Sequence, residues 1–137
     1  PYIKFKSPEW EEIYRDRIKE IIQTAQSHQA NVIWLGAPNM KKAKLNDGML
    51  YLNNLYSSEA NQHKIQFIST NEILGNKDDQ YANFVQLGEK NIKVTIDDGI
   101  HFTNAGQQLI AQKVLSYINV ETEKTSDEKA VRQSIYK

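Results

Sequence analysis

Residues 31–38, "NVIWLGAP", form a short, unbroken apolar run that Gly36 and Pro38 bring to a stop. A strand with no polar alternation has no face suited to water, so this run predicts a strand buried on both faces. "KIQFIST", at 64–70, predicts a second strand, and segments of helical period lie before, between and after the two. The order helix, strand, helix, strand, loop, helix is α/β alternation, and it implies a parallel sheet with covering helices. Reactive groups in such sheets gather on loops at the carboxyl ends of the strands. Two loops qualify here: "GAPNM", directly after the first strand, and "DDGIH", before the last helix.

The helices carry their own start signals. Ser7-Pro8-Glu9 supplies a cap, a proline for the first helical position and an acid for the first turn. Trp10, Ile13, Tyr14, Ile18, Ile21 and Ala25 then keep a helical period to about residue 28. A second helix begins at Asn46 or Asp47, with Leu45, Met49, Leu52 and Leu55 or Tyr56 on its apolar face. Tyr81–Leu87 and Ile92–Ile96, joined through "GEKN", predict a small hairpin. Thr103 is placed to cap a last helix over 104–119, which carries Ala105, Leu109, Ile110, Val114, Tyr117 and Ile118. Residues 121–137 are polar and mixed in charge, and read as a tail or a weak terminal helix. There are no internal repeats.

At 137 residues the chain has the length of one domain. Its 17 basic and 17 acidic residues cancel, and Lys41, Lys42 and Lys44, the densest basic run, have no interleaved aromatics. That run reads as a solvated loop, and nucleic acid is not the expected partner. No apolar run reaches transmembrane length and no signal peptide is present, so no membrane insertion is expected from this segment. The absence of cysteine excludes disulfides and thiol chemistry. The opening "PYIKFKSPEW" reads like the middle of a protein, which points to a processed or trimmed fragment.

"DDGIHFTNAGQQL", residues 97–109, places Asp98 and His101 three apart around Gly99. Turn and cap roles account for Asp98, Gly99 and Thr103, but not for His101. An imidazole is a general base near neutral pH once its tautomer is fixed, and a carboxylate on the ring N–H fixes it. Spacing alone leaves two readings, a catalytic dyad or a capped turn with a surface histidine. Asp97, Asp98 and His101 lack the second histidine or carboxylate cluster that a metal would need. Gly36 is followed by no glycine repeat, so neither metal nor cofactor is expected. His28 reads as a helix-ending residue, His63 as exposed ahead of a strand, and Trp10 and Trp34 as core positions.

"DDGIHFTNAGQQLIAQKVLSYI" resembles the C-terminal block of the SGNH (GDSL-type) hydrolases, whose Asp-x-x-His supplies two members of a Ser-His-Asp triad. "FKSPEWEEIYRDRI" followed by "VIWLGAPNM" is similar to a bacterial cell-envelope branch of that superfamily, and the likeness spans residues 3–118. The resemblance implies a three-layer parallel sheet with flanking helices, of flavodoxin-like SGNH type, present here as its C-terminal half over residues 1–120. It makes Asp98 and His101 the catalytic residues, beside a concave surface. It also implies a periplasmic or cell-envelope setting and an acylated, typically acetylated, carbohydrate as substrate of the parent protein. The family's Gly-Asp-Ser, oxyanion glycine and Gly-x-Asn-Asp blocks are missing from this sequence. The chain alone is therefore expected to be inactive. One edge of Val32–Leu35 is expected to be covered by the N-terminal half of the same domain or by a second copy, unless the 81–96 hairpin shields it. The alternative is a non-catalytic α/β module used for binding or assembly.

Overall fold

The computed structural model describes residues 1–74 and 80–118. Its elements are α1 (Pro8–Ser27), β1 (Ile33–Leu35), α2 (Ala43–Gln62), β2 (Gln66–Ile68), α3 (Thr70–Ile73), β3 (Phe84–Leu87), β4 (Lys90–Lys93) and α4 (Asn104–Leu115). The architecture is mixed α/β. β1 and β2 pair in parallel, with Trp34 opposite Phe67, and the Gly36 amide extends the ladder to Ile68 O at 2.8 Å. β3 and β4 form a separate antiparallel hairpin with Val85 opposite Ile92. Its two-residue turn places Gly88 at φ 62, the first-position positive φ that a type II′ hairpin requires.

Helix starts follow the sequence closely. The Ser7 hydroxyl accepts from the Trp10 amide at 3.2 Å, and Thr103 accepts from the Gly106 amide at 3.1 Å. α2 departs from expectation, beginning at Ala43 with no side-chain cap on Lys42. The buried Asn46 faces back instead, its Oδ1 accepting the Met40 amide at 2.7 Å. Tertiary demand for that amide outweighs the local capping preference.

α1 and α2 end alike. Gln29 and Lys64 sit at φ 62 and 56, and Ala30 and Ile65 return their amides to Ala25 O and Ala60 O. Both are Schellman closures built without glycine, which is why composition gives no sign of them. His28 and His63 occupy the two cap positions. His28 Nδ1 meets Thr24 O at 2.8 Å, as a helix-ending residue would.

Two apolar clusters form. Ile18, Ile22 and Leu55 are buried between α1 and α2, with Trp10, Tyr14, Trp34, Tyr56 and Ile65 against them. Full burial of a side chain such as Ile22 contributes about 1.5–3 kcal/mol. Leu74, Val85 and Val94 form the second cluster, beneath Ile92, Phe102, Leu109 and Ile110. Between β2 and α4 lies a cavity of about 570 Å³, lined by Phe67, Ile73, Leu109 and Tyr117 among others.

Some expectations change. β1 is half-covered rather than buried on both faces, and Leu35 is 39% exposed. Its one partner among the described residues is β2, and the hairpin pairs within its own sheet. On α1, Ile22 takes the core position while Ile21 is 58% exposed. A helix over 104–119 is Asn104–Leu115 instead, and the segment 121–137 lies outside the described residues. Among the described residues no helix is long and apolar enough to cross a membrane.

Candidate active site

Residues 94–103 fold back on themselves after β4. Thr95 and Phe102 form an antiparallel bridge, the Ile96 amide donates to His101 O at 2.9 Å, and the Thr103 amide donates to Val94 O at 2.9 Å. The Thr103 hydroxyl donates to Lys93 O at 2.7 Å while capping α4, so one side chain ties β4 to the helix start. Gly106 lets α4 lie close: a Cβ there would fall 2.2 Å from Val94 O. The tip, Asp97 to Ile100, turns through Gly99 at φ 70, with the Gly99 amide on Ile96 O at 3.1 Å.

Asp98 organises this tip. Its Oδ1 accepts the Ile100 and His101 amides at 2.9 and 3.0 Å, and its Oδ2 meets His101 Nδ1 at 2.5 Å. The carboxylate is thereby aimed by the backbone and in turn aims the imidazole. The His101 side-chain bond, followed by the two backbone bonds, holds the Asp98 carboxyl down to about 2 from an ordinary 3.8. Asp98 therefore stays ionised and ready to accept from Nδ1–H. With Nδ1 engaged, Nε2 is left to exchange a proton with a substrate or nucleophile; it makes no hydrogen bond among the described residues. An imidazole held in this way can act as a general base. The spacing Asp98-x-x-His101 thus translates into the expected contact.

Other expectations fare differently. The cavities of about 570, 350 and 310 Å³ are lined by neither residue, and the His101 side chain is 73% exposed. Asp97, expected only as a weak metal candidate, binds Lys93 at 2.6 Å, and Lys93 then Lys41 lower its carboxyl. No cluster of three or more metal-ligating side chains occurs among the described residues. His63 is not exposed: its side chain is 17% accessible, with Nε2 3.5 Å from the buried Glu59 carboxylate. No hydrogen bond joins a described serine to Nε2. Ser7 and Ser69 cap helices, Ser58 accepts from Arg15 Nη1 at 3.2 Å, and Ser27 and Ser116 bond to Thr24 O and Lys113 O.

The "GAPNM" loop does reach the dyad turn, through the residue that follows it. The Lys41 amide donates to Gly99 O at 3.2 Å. Sequence reasoning placed Lys41 in a solvated basic run, and nothing local to it signals this contact. Behind it, Asn53, Asn71 and Asn46 each bind a loop amide, of Ala37, Asn39 and Met40 in turn.

The elements that carry this geometry, from α1 to α4, fall within one family model matching residues 1–117. The chain belongs to the family described as "Protein of unknown function (DUF459)". No curated protein matches it. The DUF459 match takes in both Asp98 and His101, along with Lys41 and the asparagines behind it.

Proposed function

We propose that this DUF459 chain is the C-terminal part of an SGNH-type serine esterase or acyltransferase, in which Asp98 and His101 serve a serine carried by the N-terminal half of the domain. The single observation that carries the reading is the oriented pair, with Asp98 Oδ2 on His101 Nδ1 and Nε2 left open. In the reaction, Nε2 takes the proton of the serine hydroxyl as its oxygen attacks the acyl carbonyl. Nε2 then gives that proton to the departing alcohol, leaving an acyl-serine. Water in a hydrolysis, or an acceptor hydroxyl in a transfer, then attacks the acyl-serine and loses its proton to Nε2, which returns it to the serine oxygen as the acyl–serine bond breaks. Asp98 stays ionised throughout and stabilises the imidazolium. The resemblance makes the substrate an acyl ester of a cell-envelope carbohydrate, handled in the periplasm or envelope.

Three features support a larger parallel sheet in the parent, with flanking helices. Among the described residues β1 has one strand neighbour, Ile13, Ile21 and Leu35 stand exposed, and a cavity opens between β2 and α4. Unpaired apolar edges favour pairing with another segment, here the N-terminal half or a second copy. The test is turnover of an aryl acetate by the parent protein. His101→Ala and Asp98→Asn should each lower it by several orders of magnitude while leaving the fold intact. Near-native rates in both variants would end the reading.

The lack of a hydrogen bond between Nε2 and any described serine favours a second reading, a non-catalytic binding or assembly module. A Gly-Asp-Ser block preceding these residues in the parent discriminates, and so does a fluorophosphonate probe. Labelling of a serine in the parent but not in this chain fits the hydrolase, and no labelling of either fits the module.

A further inference from the structure

The turn that holds the dyad is tied to the rest of the chain by Lys41. Its internal bonds, Ile96 with His101 and Gly99 with Ile96, shape the turn, and the Lys93–Asp97 pair ties it to the neighbouring β4. Lys41 reaches it from another loop, with its amide on Gly99 O at 3.2 Å. The side chain adds to that bond. A Cβ on Gly99 would lie 2.2 Å from Lys41 Cβ and 2.9 Å from Lys41 Cδ, so the aliphatic stem of the lysine lies flat across the glycine. A long side chain often covers a surface with its methylenes while its charge stays in water.

The loop that carries Lys41 is unusually well held. Thr70 Oγ1 donates to Gly36 O, and Asn53 both accepts from the Ala37 amide at 2.7 Å and donates to Ala37 O at 2.8 Å. Asn71 Oδ1 accepts the Asn39 amide at 2.7 Å, and Asn46 Oδ1 accepts that of Met40 at 2.7 Å. Side chains from α2 and α3 thus fix the backbone up to the residue before Lys41. A loop with its polar groups satisfied in this way is a rigid support. The exposed turn beyond it has its own local bonds, and Lys41 is what joins it to this loop.

We infer that Lys41 is a positioning residue, whose stem and amide brace the 97–101 turn against the asparagine-pinned loop and so keep the His101 ring on Asp98. Its bearing on catalysis rests on the proposed esterase reading, whereas the brace itself does not. The ammonium is not the operative part. It lies in the field of Asp97, which Lys93 already pairs.

The experiment reads the His101 ring directly in the full chain, by two-bond nitrogen–proton correlation at a pH above the ordinary imidazole range. Free neutral imidazole favours the Nε2–H tautomer, and a carboxylate on Nδ1 reverses that preference. The native chain should hold His101 mainly as Nδ1–H. Lys41→Gly should lower the ratio of Nδ1–H to Nε2–H roughly tenfold, the loosening of one charge-assisted hydrogen bond. Lys41→Met keeps the stem without the charge and should hold the native ratio within about twofold. Lys41→Ala, which cuts the stem back to its Cβ and leaves the positive φ of Gly99 untouched, should act like Lys41→Gly. Backbone resonances of Ile18, Ile22 and Leu55, in the other apolar cluster, report that each variant is folded. Should Lys41→Gly fail to fold, Lys41→Ala and Lys41→Met decide alone. A native ratio in the folded glycine and alanine variants would overturn the brace, and so would a Lys41→Met variant that behaves like Lys41→Gly. If the parent proved inactive while the ratio moved as stated, the esterase reading would fall and the brace would stand.

Discussion

Replacing Arg15 by methionine removes the main partner of a carboxylate that water cannot reach. Glu59 is 1% exposed, its Oε1 accepts from Arg15 Nη1 at 3.0 Å, and its Oε2 has no hydrogen bond. Arg15 also contacts Glu11 at 3.3 Å, but Glu11 is part-exposed and keeps the Tyr51 hydroxyl at 2.7 Å when the arginine is gone. The Glu11 pair belongs to the surface class of helical neighbours, which solvent screens and which contributes little. Stranding Glu59 is a different matter, because breaking a buried pair from one side costs about 3–5 kcal/mol. Methionine retains the apolar bulk of the arginine stem, so lost packing contributes little. In urea, with a slope of about 2 kcal/mol/M, the midpoint of Arg15→Met should fall by roughly 2 M. Replacing both members, Arg15→Met with Glu59→Met, should recover most of the loss, since no charge is then buried. Equilibrium unfolding followed by tryptophan fluorescence is suited to this, because Trp10 and Trp34 both pack against the affected cluster. A loss below about 1 kcal/mol in the single variant would refute the reasoning, because Glu59 would then be behaving as a solvated group.

Two further outcomes test the candidate site. The Asp98 carboxyl is lowered in the fold, so its bonds stabilise the turn above the ordinary value of 3.8 and are lost as pH falls through about 2. The amide resonances of Ile100 and His101 should titrate with that low midpoint, and a midpoint at 3.8 would mean that the carboxylate is not bonded to them. Gly106→Ala should destabilise by about 1–3 kcal/mol in thermal or urea unfolding, although alanine is the better helix former, because the new Cβ meets the Val94 carbonyl. A stabilised variant would show that α4 does not approach the strand so closely.

Local chemistry accounts for what the sequence made legible. Ser7 and Thr103 cap their helices because a hydroxyl reaches an amide three residues on, whatever the rest of the chain does. The Asp98–His101 contact is equally local: Gly99 supplies the bend and Asp98 binds amides two and three residues ahead. The hairpin was legible for the same reason, although its turn is Gly88-Glu89 and its strands are Phe84–Leu87 and Lys90–Lys93 rather than 81–87 and 92–96. His63, Asn46 and Ile21 went unread because long-range packing sets their environments. His63 is covered because Glu59 is buried against α1, and Asn46 leaves its cap role for the Met40 amide. Ile22 displaced Ile21 from the core because the face of α1 that meets Leu55 is chosen by α2, a choice periodicity alone left open.

By itself, then, the sequence determined the succession of helices and strands apart from the short α3, the caps at Ser7 and Thr103, and an aspartate and histidine placed to touch. These begin with residues within a few positions of one another, where local steric and hydrogen-bonding preferences are strongest. Only the tertiary structure decided that β1 pairs with β2 alone among the described strands, that a charge is buried between α1 and α2, and that Lys41 lies across Gly99. Lys41 and Gly99 are far apart in the chain, and a glycine suits a tight turn with or without a neighbour above it. Their contact follows from the packing of two loops, which no local preference of either residue specifies.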